Sequence, residues 1–407
     1  MIILALDLGK FNTMCCFYDT KNQKHEFINA TTDREYLAKV LKCRKIDLVV
    51  MEACGPSGWI NDLCITLKLK TLVCSTNEDA WKWSNVKRKT DRDDALKLAR
   101  MAAMNELKAV HMPTCEHREF RALVKCRKAI VQRINRVKNT IRSLFVNHGV
   151  PIDRTVKAWT SGRALVDSFR KPIHQCDSFE LWKGQLDTEL TQLDALFVQL
   201  AALEKKLDEI GKNDPRIVRV RTIPGVGPRT AEVLVAVIDD PLRFKNARQV
   251  SAYFGLVPKQ YQSGETDRNG RISKRGSSVA RAILVDCAWI SLRYNDWAKK
   301  VYDRICGKQK TRKKKAAVAL ARKIAVVAWA MLRDQSNWDP KVMERITILG
   351  KKKSDAKPSE NNAKVKSPIA AKKPAPKKKN MPVGPSSNTA GRPSVRRPSN
   401  SRTRTLV

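Results

Sequence analysis

Three short β-rich runs open the chain, and they restrict its possible folds more than any other feature of the sequence. They cover residues 2–8, 14–19 and 24–29, and the turn-prone segments GKFNT and TKNQK separate them. Strand-forming runs joined by short turns pair with their neighbours along the chain, which gives an antiparallel meander. The chain is therefore predicted to begin with a sheet.

The next segments alternate between helical and strand patterns. Apolar residues recur at helical spacing over 33–44 and 91–103, whereas 46–52 and 71–75 are short apolar runs typical of buried strands. A further helical segment lies between these two runs. The resulting order, βββαβαβα, predicts an α/β domain in which helices cover a sheet.

The middle of the chain has a different pattern. Residues 116–148 and 178–210 are charged, contain no proline and place apolar residues three and four apart, so they predict paired long helices and a coiled coil. A second compact, mostly helical unit begins near Arg216. The last residues are rich in Lys, Pro, Ser and Asn with few large apolar residues, which predicts disorder. The predicted domains are 1–110, 111–212 and 213–340, followed by a disordered basic tail over 341–407.

The charge balance indicates the class of partner. The chain has 80 Lys and Arg against 40 Asp and Glu, a net charge of +40. Residues 351–407 contain 16 Lys and Arg and two acids, so they account for +14 of that charge, and the remainder is basic in its own right. A potential of this sign gathers polyanions, and we therefore expect a nucleic-acid partner.

Cysteine and histidine usage excludes two common kinds of small scaffold. The 11 cysteines contain no C-x-x-C pair, and only five histidines accompany them, so neither a zinc ribbon nor a disulfide framework fits. The start, MIILALDLGK, lacks the basic region and cleavage site of a secretory leader. No window approaches the roughly 18 apolar residues of a membrane span. We expect a cytoplasmic protein with reduced thiols and no membrane partner.

Acidic residues stand at the ends of the predicted strands. Asp7 closes the first run, and Glu52 closes VVME before the turn-like CGPSG. In KTDRDDALKLA, Asp91 and Asp94 are three apart and share a helix face, with Asp93 turned away. Simpler interpretations stay open, since Asp7 could cap a turn and Asp91 could be the N-cap of the helix.

A metal site would explain why a basic chain places acids at these positions. Several carboxylates within a few ångströms of one another cannot all stay ionised unless a positive charge offsets them. Two magnesium ions about 3.5–4 Å apart, held by carboxylates, are a standard device for phosphodiester chemistry. We therefore predict that Asp7, Glu52, Asp91 and Asp94 bind Mg²⁺, with two ions at the site.

The segments LALDLGK, VVMEACGPSG and KTDRDDA resemble those that carry the four acids in transposases of the insertion sequence 110 family. The resemblance runs from residue 1 to about 335, and its pieces occur in the family's order. It implies an RNase H-like, RuvC-like mixed sheet domain, a long helical coiled-coil insert and a mostly α C-terminal domain. It also implies that the acids Asp7, Glu52, Asp91 and Asp94 are catalytic ligands of two magnesium ions.

The second half of the chain opens with a glycine-containing turn, IPGVGPRTA (223–231). Gly225 and Gly227 precede a helix there, as in a helix-hairpin-helix turn, whose free amides and helix N-terminus can grip a phosphate. An ordinary structural turn is an equally good interpretation.

The stretch from 244 to 284 is similar to the transposase domain of the same family, including its GLVP, SG and ISKRG elements. The resemblance implies a serine nucleophile in this domain. Ser263 lies in a polar loop and takes that role, with Ser273 as the fallback. The residues after SG, ETDRNG, depart from the family, in which a second glycine and a lysine are more usual. Five flanking cations would contact nucleic acid and offset transition-state charge: Lys259, Arg268, Arg271, Lys274 and Arg275.

The resemblance further implies the partners. They are donor and target DNA, a guide RNA encoded in the noncoding end of the element, and further copies of the chain in a homodimer or homotetramer. Such an enzyme would be bacterial and associated with the nucleoid.

Three alternatives compete with a transposase that cuts and rejoins DNA. An actin-like kinase would explain DLGKFNT as a phosphate-binding turn, but the sequence lacks a second phosphate loop and a glycine-rich adenosine site. A RuvC-like junction-resolving endonuclease would use the carboxylates without a covalent step. A noncatalytic nucleic-acid-binding scaffold would use neither the acids nor the serine.

Overall fold

The computed structural model describes residues 1–75, 90–151, 159–263, 266–307 and 309–343. From residue 344 onward, the predicted disordered tail lies outside these residues. The strands are β1 (Ile2–Leu8), β2 (Asn12–Asp19), β3 (His25–Thr31), β4 (Leu48–Glu52), β5 (Thr71–Cys74), β6 (Pro258–Ser263) and β7 (Thr266–Ile272). The α-helices are α1 (Arg34–Lys42), α2 (Ser57–Thr66), α3 (Asp91–Ala103), α4 (Cys115–Asn147), α5 (Arg163–Asp167), α6 (Leu181–Asn213), α7 (Pro215–Arg221), α8 (Pro228–Ile238), α9 (Ala247–Tyr253), α10 (Ser278–Tyr294), α11 (Asp296–Cys306) and α12 (Lys313–Arg333).

The first five strands form one mixed sheet in the order β3-β2-β1-β4-β5. Strands β1 to β3 make the antiparallel meander that the sequence predicts, and β4 and β5 run parallel to β1. A parallel neighbour needs a crossover, and α1 and α2 supply the two crossovers. The mixed α/β sheet is confirmed, and it is compatible with an RNase H-like domain.

Alternation along β1 gives the sheet two apolar faces. Leu4 and Leu6 pack in one cluster with residues of α1 and α2, whereas Ile3 and Ala5 pack in another with Leu98 and its neighbours on α3. All four of these β1 side chains are fully buried. Burying a large aliphatic side chain stabilises the fold by about 1.5–3 kcal/mol. The sheet therefore holds α3 firmly against the face to which Asp7 also belongs.

Helices α4 and α6 are long and run antiparallel to each other. The ring of Phe145, near the end of α4, lies 6.0 Å from that of Trp182 at the start of α6. Earlier along α4, Arg127 Nε donates a hydrogen bond of 2.7 Å to Glu204 late in α6. The predicted paired helices are present, with bounds that differ from the prediction by three residues at most. The coiled coil itself stays a prediction.

Helices α7 to α12 surround a separate apolar core. Leu234 of α8, Leu284 of α10 and Leu320 of α12 are fully buried in it, and Phe120 at the foot of α4 belongs to the same cluster. The indole Nε1 of Trp329 donates a 2.8 Å hydrogen bond to the carbonyl of Pro241. The C-terminal unit is thus mostly helical, while the domain boundaries proposed from the sequence stay a prediction.

A two-stranded hairpin, β6–β7, interrupts these helices where the sequence predicted only a polar loop. Every residue of β6 is exposed, so the strand has no apolar alternation from which it could have been recognised. Among the described helices, none combines the length and apolar character needed to traverse a bilayer.

Candidate active site

Two of the predicted acids lie side by side at the same end of neighbouring strands. Leu6 of β1 is in register with Met51 of β4, so Asp7 and Glu52 follow on adjacent strands. Alternation turns both carboxylates towards α3, on the face that also carries Ala5 and Val50. The parallel pairing of two strands thus brings together residues that are far apart in sequence.

The chain turns sharply directly after Asp7. The Gly9 amide donates a 3.1 Å hydrogen bond to the carbonyl of Asn12, and a Cβ added at Gly9 would lie 2.3 Å from that same oxygen. No ordinary Cβ tolerates such a distance to a backbone atom, so this turn requires glycine. The turn returns the chain into β2 and leaves Asp7 at the edge of the sheet.

The other two acids come from the first turn of α3. Thr90, and not Asp91, is the N-cap, because the Asp93 amide donates to Thr90 Oγ1 at 3.2 Å. The Thr90 hydroxyl in turn donates to the Asp93 carboxylate at 2.6 Å. The Asp93 side chain is therefore engaged in the helix cap. This contact agrees with the prediction that Asp93 is turned away from the face that Asp91 and Asp94 share. Asp91 and Asp94 share the face of α3 that carries Leu98.

All four carboxylates line one cavity of about 400 Å³ between the strand ends and the first turn of α3. Its remaining lining residues are Leu6, Leu8, Gly9, Asn12, Met14, Asn29 and Leu98. Carboxylate and amide oxygens are the donors that Mg²⁺ prefers, so the donor chemistry of this cavity fits the predicted ion. Within the described ranges, however, no three His, Cys, Asp or Glu side chains stand close enough to ligate one ion. The four acids line the same cavity, but their side chains are not arranged as the coordination sphere of one ion.

The pKa values of nearby groups reflect the negative charge of this cavity. Burial raises the pKa of the Cys54 thiol, and the carboxylates of Glu52 and Asp7 raise it further. On α3, burial lowers the pKa of Lys97, and the charge of Asp94 acts in the opposite direction. The acids thus add to the cost of a negative charge on Cys54 and partly offset the effect of burial on the charge of Lys97, as expected of a negative site.

Asn12 and Asn29 also line the cavity, although the sequence analysis did not single them out. Asn29 of β3 is in register with Met14, which is in turn in register with Asp7. The three residues form one row across the sheet on the face towards α3. The register of the meander could have revealed Asn29, but a motif search could not.

Ser263 lies elsewhere, at the end of β6, where it pairs with Thr266 across the tip of the exposed hairpin. The hydroxyl-bearing residue is exposed, and it is not among the residues that line the acidic cavity. Three of the predicted cations, Lys259, Arg268 and Arg271, lie on the two hairpin strands and are exposed. The guanidinium of Arg268 stands 5.9 Å from the centre of the Tyr261 ring. The hairpin therefore presents a hydroxyl and several cations to solvent.

Ser273, the fallback nucleophile, has a different environment at the base of the hairpin. Its amide donates a 2.8 Å hydrogen bond to the carbonyl of Val257. Its Oγ is buried and has no hydrogen-bond partner among the described residues. A nucleophile must reach its phosphate, and the exposed Ser263 meets that requirement better than Ser273 does.

Two glycines interlock the backbone at the base of the hairpin. Gly255 has φ +66°, and a Cβ there would lie 2.1 Å from the carbonyl oxygen of Arg275. Gly276 has φ +73°, and a Cβ there would lie 2.1 Å from the carbonyl oxygen of Tyr253. Lys274, whose own φ is +57°, donates its amide to Gly255 O at 3.2 Å. Lys274 and Arg275 thus start from a rigid base, with their side chains exposed.

The turn at Gly225 and Gly227 has a clear packing role for one glycine only. Gly225 has φ +91°, and a Cβ there would lie 2.6 Å from Cα of Ser291 on α10. Gly227 is the N-cap of α8, and an added Cβ would meet nothing within 4 Å. A role in binding phosphate stays a prediction for both, and close packing by itself explains Gly225.

Two family models match the chain in the order of these elements. The model for the DEDD transposase domain of insertion sequence 110 elements matches residues 4–149, the part that carries all four acids. The model described as "Transposase IS116/IS110/IS902 family" matches residues 218–303, the part that carries Ser263. The chain belongs to the insertion sequence 110 family of transposases.

Curated relatives extend the likeness to insertion sequence 110 family proteins over most of the chain. The transposase for insertion sequence element IS1111A of Coxiella burnetii is 29% identical over 345 residues, which cover 83% of this chain and 91% of the relative. The transposase for element IS1328 of Yersinia enterocolitica is 26% identical and covers 81% of this chain and 96% of the relative. A pilin gene-inverting protein of Moraxella lacunata is 27% identical and covers 64% and 70%, respectively.

Proposed function

We propose that this chain is the transposase of an insertion sequence and that it cuts and rejoins DNA with a metal-bound acid site and a serine nucleophile. The observation that carries the proposal is the single cavity lined by Asp7, Glu52, Asp91 and Asp94. The match to the transposase models supports DNA as the substrate. The Moraxella relative is named as a gene-inverting protein, and inversion of a gene requires that cut strands be rejoined.

The four carboxylates would hold the magnesium ions. Asp7 and Glu52 face the cavity from the sheet, and Asp91 and Asp94 face it from α3, so two ions could be shared between these two sides. Divalent ions at such a site stabilise negative charge on the scissile phosphate and on the leaving oxygen. Asn12 and Asn29 supply neutral oxygen and nitrogen atoms at the rim, where they can orient a phosphate or a water molecule.

Ser263 would attack the scissile phosphorus. Oγ gives up its proton and bonds to phosphorus, the bond from phosphorus to the leaving deoxyribose oxygen breaks, and that oxygen takes up a proton, so the step is balanced in protons. Attack by a second DNA hydroxyl reverses the step and releases the serine. The phosphoserine keeps the energy of the broken bond, so rejoining needs no external energy source. The exposed cations of β6 and β7 would offset charge on the phosphate during both steps.

The two halves of the reaction centre would meet when DNA binds. Ser263 does not line the acidic cavity, so we propose that the acids of one copy and the serine of another copy complete one site in a homodimer or homotetramer. A guide RNA from the noncoding end of the element would pair with donor and target DNA. Base pairing by RNA would select the sites and leave the protein to bind backbone.

Substitution of the acids tests the proposal directly, and α3 offers a matched control. Asp7→Asn and Asp94→Asn should each lower the rate of DNA strand cleavage by about 1,000-fold or more, because each removes a charge that would bind metal. Asp93→Asn, one residue from Asp94 but engaged with Thr90, should leave cleavage within a few-fold of the wild type. Equal loss in Asp93→Asn and Asp94→Asn, with intact folding by circular dichroism, would contradict a metal role. Wild-type cleavage in Asp7→Asn would contradict a catalytic role for Asp7, whereas a wild-type protein that cleaves no DNA would indicate a noncatalytic scaffold.

A RuvC-like junction-resolving endonuclease is the second candidate. The observation that favours it is the absence of Ser263 from the lining of the acidic cavity. Such an enzyme would hydrolyse DNA with the acids alone, and substitution of the serine would leave its cleavage unchanged.

A further inference from the structure

Helix α4 has an unusual distribution of charge. Between residues 120 and 147 it has eight Lys and Arg and no Asp or Glu. Taken whole, α4 has nine Lys and Arg against two Glu, whereas its partner α6 has four Lys against six Asp and Glu. The helical pair is therefore basic on one side and acidic on the other. A polyanion would be attracted to α4 and repelled from α6.

The apolar stripe of α4 fixes which of its residues face outward. Ile130, Ile134, Val137 and Ile141 are buried in the cluster that α4 shares with α6. At 100° per residue, the opposite face runs for about 27 Å along the helix. We call this face the outer face of α4; its residues are Lys125, Lys128, Gln132, Asn135, Arg136, Asn139 and Ser143.

Several other cations of α4 are already engaged. Arg121 donates hydrogen bonds to the carbonyls of Ala236 and Val237, and Arg127 pairs with Glu204. Lys138 lies 4.9 Å from the centre of the Phe197 ring.

The cations of the outer face are not neutralised in this way. Lys125 and Arg136 are exposed and Lys128 is half-buried, and none of the three forms an ion pair with a carboxylate in the part of the chain that the structure describes. Between them stand side chains with amide and hydroxyl donors, such as Gln132 and Asn139. Cations interspersed with neutral donors match the phosphate oxygens of a nucleic-acid backbone.

The outer face also leads towards the hairpin that carries Ser263. Lys125 lines a cavity of about 200 Å³ together with Tyr253, Gly276 and Ser277. Gly276 directly follows Lys274 and Arg275 at the base of the hairpin. The Lys125 end of the outer face therefore lies close to the base of the hairpin.

We propose that the outer face of α4 binds the sugar-phosphate backbone of duplex DNA that flanks the site of strand exchange. The proposal rests on the proposed function, since it takes that DNA to be the duplex held at Ser263. Every residue of this face is charged or carries an amide or hydroxyl, and the buried aromatic and aliphatic anchors typical of a protein interface are missing from it. The contacts are made to phosphates and not to base edges, so the binding is independent of sequence.

Charge-neutralising substitutions on each side of the helical pair test the inference. The first variant of the full chain is Lys125→Gln/Lys128→Gln/Arg136→Gln. The matched control is Lys205→Gln/Lys206→Gln/Lys212→Gln on α6, which removes the same charge from exposed positions of the partner helix. Gln forms helices nearly as well as Lys and Arg do, so both variants should fold, which circular dichroism checks. The affinity for a random-sequence DNA duplex is measured by fluorescence anisotropy over a range of salt concentrations.

We expect the α4 variant to bind DNA about tenfold more weakly near 0.15 M salt and to lower the slope of log affinity against log salt by about three. The α6 control should stay within about twofold of the wild type with an unchanged slope. Equal weakening in both variants would mean that only net charge matters, and an unchanged slope in the α4 variant would exclude phosphate contacts there. Either result overturns the inference.

An RNA duplex of the same length and sequence distinguishes the two nucleic acids. Loss of binding to RNA without loss of binding to DNA would show that the occupant is RNA and would overturn the proposal. The cleavage assay of Asp7→Asn separates this inference from the proposed function, because that variant changes the acidic cavity and leaves the outer face of α4 intact. Cleavage that survives in Asp7→Asn would overturn the function alone, whereas an unaltered slope in the α4 variant would overturn the docking surface alone.

Discussion

The acidic cavity and the β6–β7 hairpin are built by opposite means. Asp7 and Glu52 stand at the ends of strands whose preceding residues are fully buried, so packing on two faces fixes the carboxylates. Ser263 stands at the tip of a two-stranded ribbon, and every residue of its strand is exposed. Metal ligands need fixed positions, because a shift of an ångström breaks coordination. A nucleophile that must enter a DNA duplex needs access more than burial.

The largest effect that would sharpen this contrast is expected at the serine. Ser263→Ala should abolish the covalent protein–DNA complex and lower strand joining by about 1,000-fold or more, because it removes the hydroxyl that would form the bond to phosphorus. Ser273→Ala should leave both nearly unchanged, since the Oγ of Ser273 is buried. Denaturing gel analysis of reactions with labelled DNA measures both products.

Two results at these serines would contradict this assignment. If Ser263→Ala still cuts DNA at the wild-type rate, the junction-resolving nuclease is the better description. If the covalent complex is instead lost in Ser273→Ala, the roles of the two serines are exchanged.

The rigid base of the hairpin should give the next largest effect. Gly276→Ala should lower the free energy of unfolding by about 3 kcal/mol or more, because its φ is +73° and the new Cβ would overlap the carbonyl of Tyr253. Gly227→Ala is the matched control, with a negative φ and open space around the added methyl, and it should change stability by less than about 1 kcal/mol. Urea unfolding measures both. Similar changes in the free energy of unfolding for the two variants would mean that the backbone at the base of the hairpin shifts to accommodate the added methyl group.

Magnesium should raise the melting temperature through the acidic cavity and not through the hairpin. At a concentration of about 100 times its dissociation constant, a bound ion adds about 2.7 kcal/mol, which raises the melting temperature of a chain this size by about 4 °C. Asp7→Asn should remove that increase, whereas Ser263→Ala should keep it. Thermal melts with magnesium and with a chelator make the comparison. An equal increase in both variants would place the ion away from the acids.

The smallest effect is expected at a buried histidine where the start of α4 packs against the end of α8. His117, at the start of α4, lies 3.0 Å from the carbonyl of Ala236 and 3.2 Å from the carboxylate of Asp239. Burial lowers its pKa below the ordinary 6.5; Ala236 and Asp239 act against this shift, and Arg121 and Arg216 add to it. A His with a lowered folded pKa contributes stability above about pH 6.5, and this contribution is lost as the pH falls through the folded value.

Between about pH 7 and pH 5, the free energy of unfolding should therefore decline more steeply in the wild type than in His117→Gln. His174→Gln removes an exposed histidine and should keep the wild-type slope. Urea unfolding at several pH values measures the slopes. Parallel curves for the wild type and His117→Gln would show that His117 does not act as such a group.

The sheet and its acids could be predicted from the sequence because short-range patterns specify them. The apolar run around Val49 is too short for an ordinary helix and is bounded by turn-prone residues, which favours a buried strand, and parallel strands bring their carboxyl ends to one edge. The spacing of Asp91 and Asp94 placed both on one helix face. The N-cap was less certain, since Thr90 and Asp91 are both favourable cap residues and only the hydrogen bond to Thr90 decides between them.

The hairpin and the close approaches of glycine could not be predicted in this way. The strand Pro258–Ser263 is polar on both faces, so it lacks the period of two from which strands are recognised. The need for glycine at Gly225 arises from Ser291, which is 66 residues away on another helix. Contacts between residues so far apart in sequence depend on tertiary packing, which local composition does not predict.

The interlocked glycines limit how Ser263, the proposed nucleophile, can be reoriented. Both strands of the hairpin leave from a base in which Gly255 and Gly276 fit against backbone with no room for one more carbon atom. A ribbon anchored so firmly cannot swing about its own root. A change in the direction of the whole ribbon at its base would then require the helices beneath it to move with it, so alterations deep among those helices could redirect Ser263 without touching the ribbon.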